Sequence, residues 1–271
     1  MNDLLLAPSV RLQLEALAQN PPHALLLVGP SGFGKRTIAE CWSRPLATPE
    51  IIEPDEKNTL SIETVRALYR QTRSRREGRQ ILIIDHAEAM SGEAQNALLK
   101  LLEEPRPDVT FILTAPSPEA LLPTITSRTQ VITLKPLLAT DLTLWLQAKK
   151  SSLSAAEAAQ YLFIAQGRPG VLATLLQDEA ALSAQKLRMQ QAKTLLAASQ
   201  YERLAKINEL IKDHVALVAI LEAMAVMIGL QLAKTNEAKW QTMAKGLETC
   251  LSRLAQNGNP RAQLTHFFLS Y

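Results

Sequence analysis

Three continuous apolar runs punctuate the first half of the chain: residues 23–28, ending at Gly29; residues 80–85, ending in Asp85; and residues 109–114. A strand with one wet face alternates apolar and polar residues, whereas an unbroken apolar run predicts a strand buried on both faces. Between the runs lie stretches with helical spacing. Residues 37–42 follow the first run. Residues 61–76 carry Ile62, Val65, Leu68 and Tyr69 on one side, and residues 91–104 carry Ala94, Leu98, Leu101 and Leu102. Buried strands alternating with amphipathic helices predict an α/β fold with a parallel sheet covered on both faces.

After Pro136 the strand pattern stops. Residues 140–150, 154–166 and 169–177 read as three short helices punctuated by Gly167 and Gly170, and from Ala180 onward the pattern is long helix. This predicts segments 1–136 (α/β), 137–178 (short helices) and 179–271 (all-α). The apolar stretch 215–232 carries Glu222 at its middle, where a charge in lipid costs about 3 kcal/mol or more. It is expected to be a buried helix of a bundle, with no membrane involved.

Composition narrows the classes. The chain has 271 residues, 47% hydrophobic and 20% charged, with a net charge of +3, too small to announce nucleic-acid binding by itself. Only Cys41 and Cys250 occur, which excludes a disulfide framework and a cysteine-rich zinc site. The start lacks the basic flank and apolar core of a secretory signal, and a cytoplasmic location is expected.

The first run leads into Gly29-Pro30-Ser31-Gly32-Phe33-Gly34-Lys35, a GxxxxGK pattern between a strand and a helix. Glycines let backbone N–H groups wrap phosphate oxygens, the helix N-terminus adds positive potential, and Lys35 adds a charge. ATP or ADP is the expected ligand. The following position departs from the pattern. Arg36 stands where a Ser or Thr would offer its hydroxyl to Mg²⁺, and Thr37 comes one residue, about 100° of helix rotation, too late. The strand ending in Asp85 has the form of the element that supports Mg²⁺, but His86 follows where a water-polarising glutamate belongs in a hydrolase of this kind. Glu88, two residues on, is not expected to substitute. The loop, Gly29 through Thr37 with Asp85, thus reads as able to hold a nucleotide, Arg36 adding charge toward its phosphates, and as poorly equipped to hold magnesium.

One segment is specific. Asn96-Ala97-Leu98-Leu99-Lys100-Leu101-Leu102-Glu103-Glu104-Pro105, after Asp85-His86-Ala87-Glu88-Ala89-Met90-Ser91, resembles the signature of AAA+ clamp loader subunits, the bacterial gamma/tau and delta-prime chains and their eukaryotic relatives. Ser127-Arg128-Thr129 is similar to that family's Ser-Arg-Cys element, with Thr129 in the Cys place, and Asn257-Gly258-Asn259-Pro260-Arg261 resembles the end of delta-prime chains. The resemblance implies an AAA+ core over 1–136, a helical lid over 137–178 and a C-terminal collar domain over 179–271. It also implies gamma/tau-type and delta subunits as partners, with the sliding clamp and primed DNA reached through the assembly. It gives Arg128 the role of an arginine finger acting in trans on a neighbour's ATP.

Several departures from the gamma pattern point to the delta-prime, non-motor type. They are Arg36, His86, the missing zinc cysteines, and Gly170 where gamma-type chains carry a second sensor arginine. A working ATPase of the gamma type and an AAA+ protein of DNA repair are the alternatives. Arg66, Arg70 and Arg73 fall three and four apart, on one helix face, with Arg75, Arg76 and Arg79 beyond. Such a stripe suits salt-sensitive contact with a DNA backbone and equally suits a solvated basic face. The remaining histidines and tryptophans stand singly, without ligand spacing.

Overall fold

The structure, a computed structural model, describes residues 4–56, 58–73, 78–151, 153–235, 237–255 and 258–270. It divides into two compact units, Met1–Ala173 and Thr174–Tyr271.

In the first unit the chain runs α1 (Pro8–Gln19), β1 (Ala24–Val28), α2 (Lys35–Ser43), β2 (Glu50–Ile52), α3 (Ile62–Arg73), β3 (Gln80–Ile84), α4 (Gly92–Glu103), β4 (Val109–Ala115), α5 (Pro123–Thr126), β5 (Gln130–Thr133), α6 (Ala139–Lys149) and α7 (Ala155–Ala165), and α8 (Pro169–Gln177) begins there. The five strands form one parallel sheet in the order β2-β3-β4-β1-β5. The unbroken apolar runs have a direct cause, because alternate residues serve different cores. Leu26, Leu82, Ile84, Phe111 and Leu113 meet Val65 and Leu68 of α3 and Leu98 and Leu102 of α4. Leu25, Leu27, Ile81, Ile83 and Ile112 meet Val10 and Leu14 of α1 and Ile38 and Trp42 of α2. Each such side chain contributes about 1.5–3 kcal/mol by leaving water. The Trp42 indole also donates to Leu14 O at 2.8 Å, which ties α2 to α1.

The three inner strands coincide with the apolar runs. The two edge strands were not expected: β2 and β5 are short and half wet, with Glu50, Gln130 and Thr133 exposed. An edge strand needs only one partner and carries no continuous apolar signal.

The second unit holds α9 (Glu179–Ala197), α10 (Gln200–Leu210), α11 (His214–Thr235), α12 (Ala238–Ala255) and α13 (Pro260–Leu269). Its helix starts are capped by side chains. Asp178 accepts from Ala180 N and Ala181 N, Ser199 forms a reciprocal capping box with Glu202, and Asn259 accepts from Ala262 N. Arg203 is buried and donates to Leu195 O at 2.9 Å and Leu196 O at 3.0 Å, carbonyls that the end of α9 leaves open. Among the described residues, α11 is long and apolar enough to cross a bilayer, with a mean hydropathy of 2.2. It packs against α9 and α12 with Glu222 exposed at its middle, the arrangement of a bundle helix. Asn257 lies outside the described residues.

Candidate functional site

The phosphate-type loop spans Gly29 to Gly34, between β1 and α2. Gly32 and Gly34 adopt φ of 83° and 75°, a region where a side chain is strained. Gly34 O accepts from Ile38 N at 2.8 Å and so starts α2, whose first N–H groups open toward the loop. Phe33 and Ile38 anchor this turn in the core shared with α1. Pro30 and Ser31 are exposed or nearly so. Lys35 Nζ folds back to donate to Gly29 O at 2.6 Å and Pro30 O at 3.2 Å. Burial pulls this ammonium below its ordinary pKa range, opposed first by Glu88 and then by Asp85. The Arg36 guanidinium is bonded to Glu40 at 2.9 Å and to Glu53. Thr37 is exposed on α2.

The acidic end of β3 is built around a residue the sequence reading passed over. Thr114, fully buried near the end of β4, donates its hydroxyl to Asp85 Oδ1 at 2.5 Å and accepts from His86 N at 3.0 Å. One hydroxyl thus orients the carboxylate and satisfies the turn that follows it. His86 sits in the left-handed region at φ 52°, and its Nδ1 lies 3.1 Å from Glu88 Oε1. Glu88 Oε2 is buried without a hydrogen-bond donor among the described residues. The sequence reading set Glu88 aside, yet of the two acids it exerts the larger pull on Lys35. The cause is the turn after β3: a short 3-10 helix at Ala87–Ala89 carries position 88 near enough for its carboxylate to act on Lys35.

The first turn of α8 also reaches the loop. Val171 N donates to Gly32 O at 3.1 Å, and a methyl placed on Gly170 would fall 2.7 Å from Gly32 O and Gly34 N. Position 170, where gamma-type chains are expected to carry an arginine, has no room for any side chain here. Arg168 donates instead to Ala165 O at 3.2 Å.

Arg128 stands apart from this constellation. Its guanidinium donates to Thr124 O at 3.0 Å and pairs with Glu103, the last residue of α4, at 2.8 Å. The buried Gln95 joins α4 to the start of α5, its amide donating to Met90 O at 3.2 Å and its oxygen accepting from Leu122 N at 2.8 Å. Arg128 therefore rides on α4 and α5 at the surface. Arg66 and Arg70 are exposed along α3, Arg73 closes that helix, and Arg79 contacts Thr110 Oγ1 at 3.3 Å. Arg75 and Arg76 lie outside the described residues. No group of three or more His, Cys, Asp or Glu among the described residues is arranged to hold a metal.

The structure thus gathers Gly29 to Lys35 and Asp85 into one site, adds Thr114, Glu88 and the start of α8, and turns Arg36 away. Thr114 was visible only as one of two threonines inside an apolar strand, which reads equally as core.

Comparison with known proteins fits this architecture. Residues 46–138 match the family model described as DNA polymerase III, delta subunit. A DNA polymerase III subunit delta' of Pseudomonas aeruginosa is 37% identical, over 43% of this chain and 44% of that protein. A gamma/tau subunit of Mycobacterium bovis is 31% identical, over 40% of this chain and 23% of that protein. The aligned stretches thus span less than half the length of these relatives. A DNA polymerase III gamma subunit-related protein of Thermotoga maritima shares the fold, with a TM-score of 0.53 and 18% identity over 96% of this chain and 97% of that one. Over residues 46–138 and these aligned stretches, the chain is similar to the delta and delta' subunits of DNA polymerase III, within a fold shared with a gamma subunit-related protein.

Proposed function

We propose that the chain is a stator subunit of a replicative clamp loader. In this reading residues 1–136 form the AAA+ core, 137–178 the lid and 179–271 the collar segment that joins gamma/tau-type and delta subunits. The assembly loads a sliding clamp onto primed DNA. Residues Gly29 to Lys35 hold ATP or ADP by backbone N–H groups and the Lys35 charge, and the nucleotide supplies only its phosphates as a switch. The residues present fit a phosphate and do not fit its magnesium: no hydroxyl stands at position 36, and Asp85 Oδ1 already accepts a hydrogen bond from the Thr114 hydroxyl. The reading is carried by Arg36, whose guanidinium is bound up with Glu40 and Glu53 where a magnesium hydroxyl belongs.

Arg128, presented at the surface by α5, donates its charge in trans to the γ-phosphate on a neighbouring subunit, a contribution of roughly 10³–10⁵ in rate where such arginines act. Steady-state ATP hydrolysis tests this, measured on the purified chain alone and then with gamma-type and delta subunits. The expected result is negligible turnover alone, and turnover of the mixture that falls on Arg128→Ala. Clear activity of the chain alone, abolished by Lys35→Ala, would overturn it in favour of a gamma-type motor. Glu88 favours that second reading, since it brings a carboxylate to Lys35. Arg66, Arg70 and Arg73 supply backbone contacts to DNA within the assembly. An unchanged salt dependence of DNA binding after Arg66→Ala and Arg70→Ala would remove that part.

A further inference from the structure

The phosphate loop is occupied by the chain's own α8. Val171 N–H donates to Gly32 O at 3.1 Å, so the loop's backbone is hydrogen-bonded to the first turn of that helix. The fit leaves no space. A methyl on Gly170 would lie 2.7 Å from Gly32 O, 2.7 Å from Gly34 N and 3.0 Å from Gly34 Cα, and a methyl on Gly32 would lie 2.5 Å from Val171 Cγ2. The atoms facing Gly170 are backbone and cannot swing aside as a flexible side chain can, whereas Gly32 is faced by the Val171 side chain. Lys35 is engaged as well, with its ammonium on Gly29 O and Pro30 O. The hollow beside the loop, lined by Leu5, Ala7, Phe33, Ile38, Leu137 and Pro169 among others, holds about 10 Å³, room for one water at most. A phosphate held here needs the loop's N–H groups and the lysine turned outward, and a base-sized group needs far more than this hollow.

We propose that the first turn of α8, residues 168–171, is a built-in stopper of the phosphate loop: nucleotide and α8 compete for the same backbone, and binding requires that turn to withdraw. This rests on the reading that the loop takes ATP or ADP, and it adds how that site is regulated. It also gives Gly170 a reason. Glycine is a poor helix former, and near the start of α8 it is the residue thin enough to pass Gly34. The apparent affinity of a site that is open only part of the time is reduced by the open fraction, so the stopper lowers affinity and slows association.

The test uses the full chain and a fluorescent ADP analogue, reading both Kd and association rate. Gly170→Ala keeps α8 helical while its methyl prevents docking, and is expected to bind about tenfold tighter, the factor that one hydrogen bond and its packing correspond to. Val171→Ala, which only trims the contact, is expected to shift Kd in the same direction by a smaller factor. Amide exchange on the wild-type chain provides a readout independent of any variant. Adding ADP should speed exchange at Val171, opposite to the protection a ligand ordinarily gives. Equal Kd and association rate for wild type and Gly170→Ala, or a Val171 amide that stays protected with ADP bound, overturns the stopper alone. Well-folded proteins none of which binds ADP would overturn the nucleotide reading, and the stopper with it.

Discussion

Replacing Thr114 by Val removes one hydroxyl and almost no volume, so it isolates the polar work done between β3 and β4. Two bonds disappear together: the donation to Asp85 Oδ1 at 2.5 Å and the acceptance from His86 N at 3.0 Å. A hydrogen bond to an ionised group is worth about 1.5–3 kcal/mol, and a buried N–H left unpaired costs about 1–3 kcal/mol. The sum is an upper bound, because Asp85 is 7% exposed and a water can reach part of its carboxylate. The expected loss is therefore about 2–4 kcal/mol of stability in the first unit. With a urea slope of about 2 kcal/mol/M, the midpoint falls by roughly 1–2 M. Fluorescence of Trp42, buried between α1 and α2 in that unit, follows the transition. Thr114→Ser is the control, since it keeps the hydroxyl and loses a methyl, for about 1 kcal/mol. If Val proved no worse than Ser, the hydroxyl would not be bridging Asp85 and His86, and the account of this strand end would be wrong.

Two further outcomes are expected. Arg203→Met should destabilise the second unit by about 2–3 kcal/mol in a denaturant melt, because it strips two hydrogen bonds from the end of α9 while keeping most of the apolar stem; a loss under about 0.5 kcal/mol would show that water replaces the guanidinium. Burial pushes the Cys250 thiol up to about 11, so in the folded protein only Cys41 should react with a thiol reagent at pH 8. An unfolded thiol ionises near about 8.5, so Cys250 contributes its stability in full below that pH. The contribution is lost at about 1.4 kcal/mol per pH unit as pH rises toward 11. Prompt reaction of both thiols in the folded state would contradict its burial.

What the sequence revealed followed from signal strength. β1, β3 and β4 were legible because strands buried on both faces need apolar residues at every position, and the Gly32 and Gly34 pattern was legible because its backbone admits little else. β2 and β5 were not, since a three- or four-residue edge strand with exposed Glu50 and Gln130 resembles loop. Within the site, Lys35 and Asp85 could be read from local pattern alone. Thr114 meets Asp85 from 29 residues away, and Glu88 comes near enough to act on Lys35 only through the tight turn after β3. Arg36 shows the reverse case. Its charge suggested attraction to phosphate, but Glu40 one helical turn on and Glu53 across from it hold the guanidinium instead.

The strand order also governs how the chain meets its own synthesis. Each of β1's neighbours, β4 and β5, lies far downstream, so the Ala24–Val28 segment has no partner until roughly 90 further residues have been made. At ribosomal rates that is on the order of ten seconds during which the most apolar strand of the sheet is unpaired. The sheet is assembled around a strand that is made first and paired late, and for a nascent chain that interval is when protection from aggregation matters most.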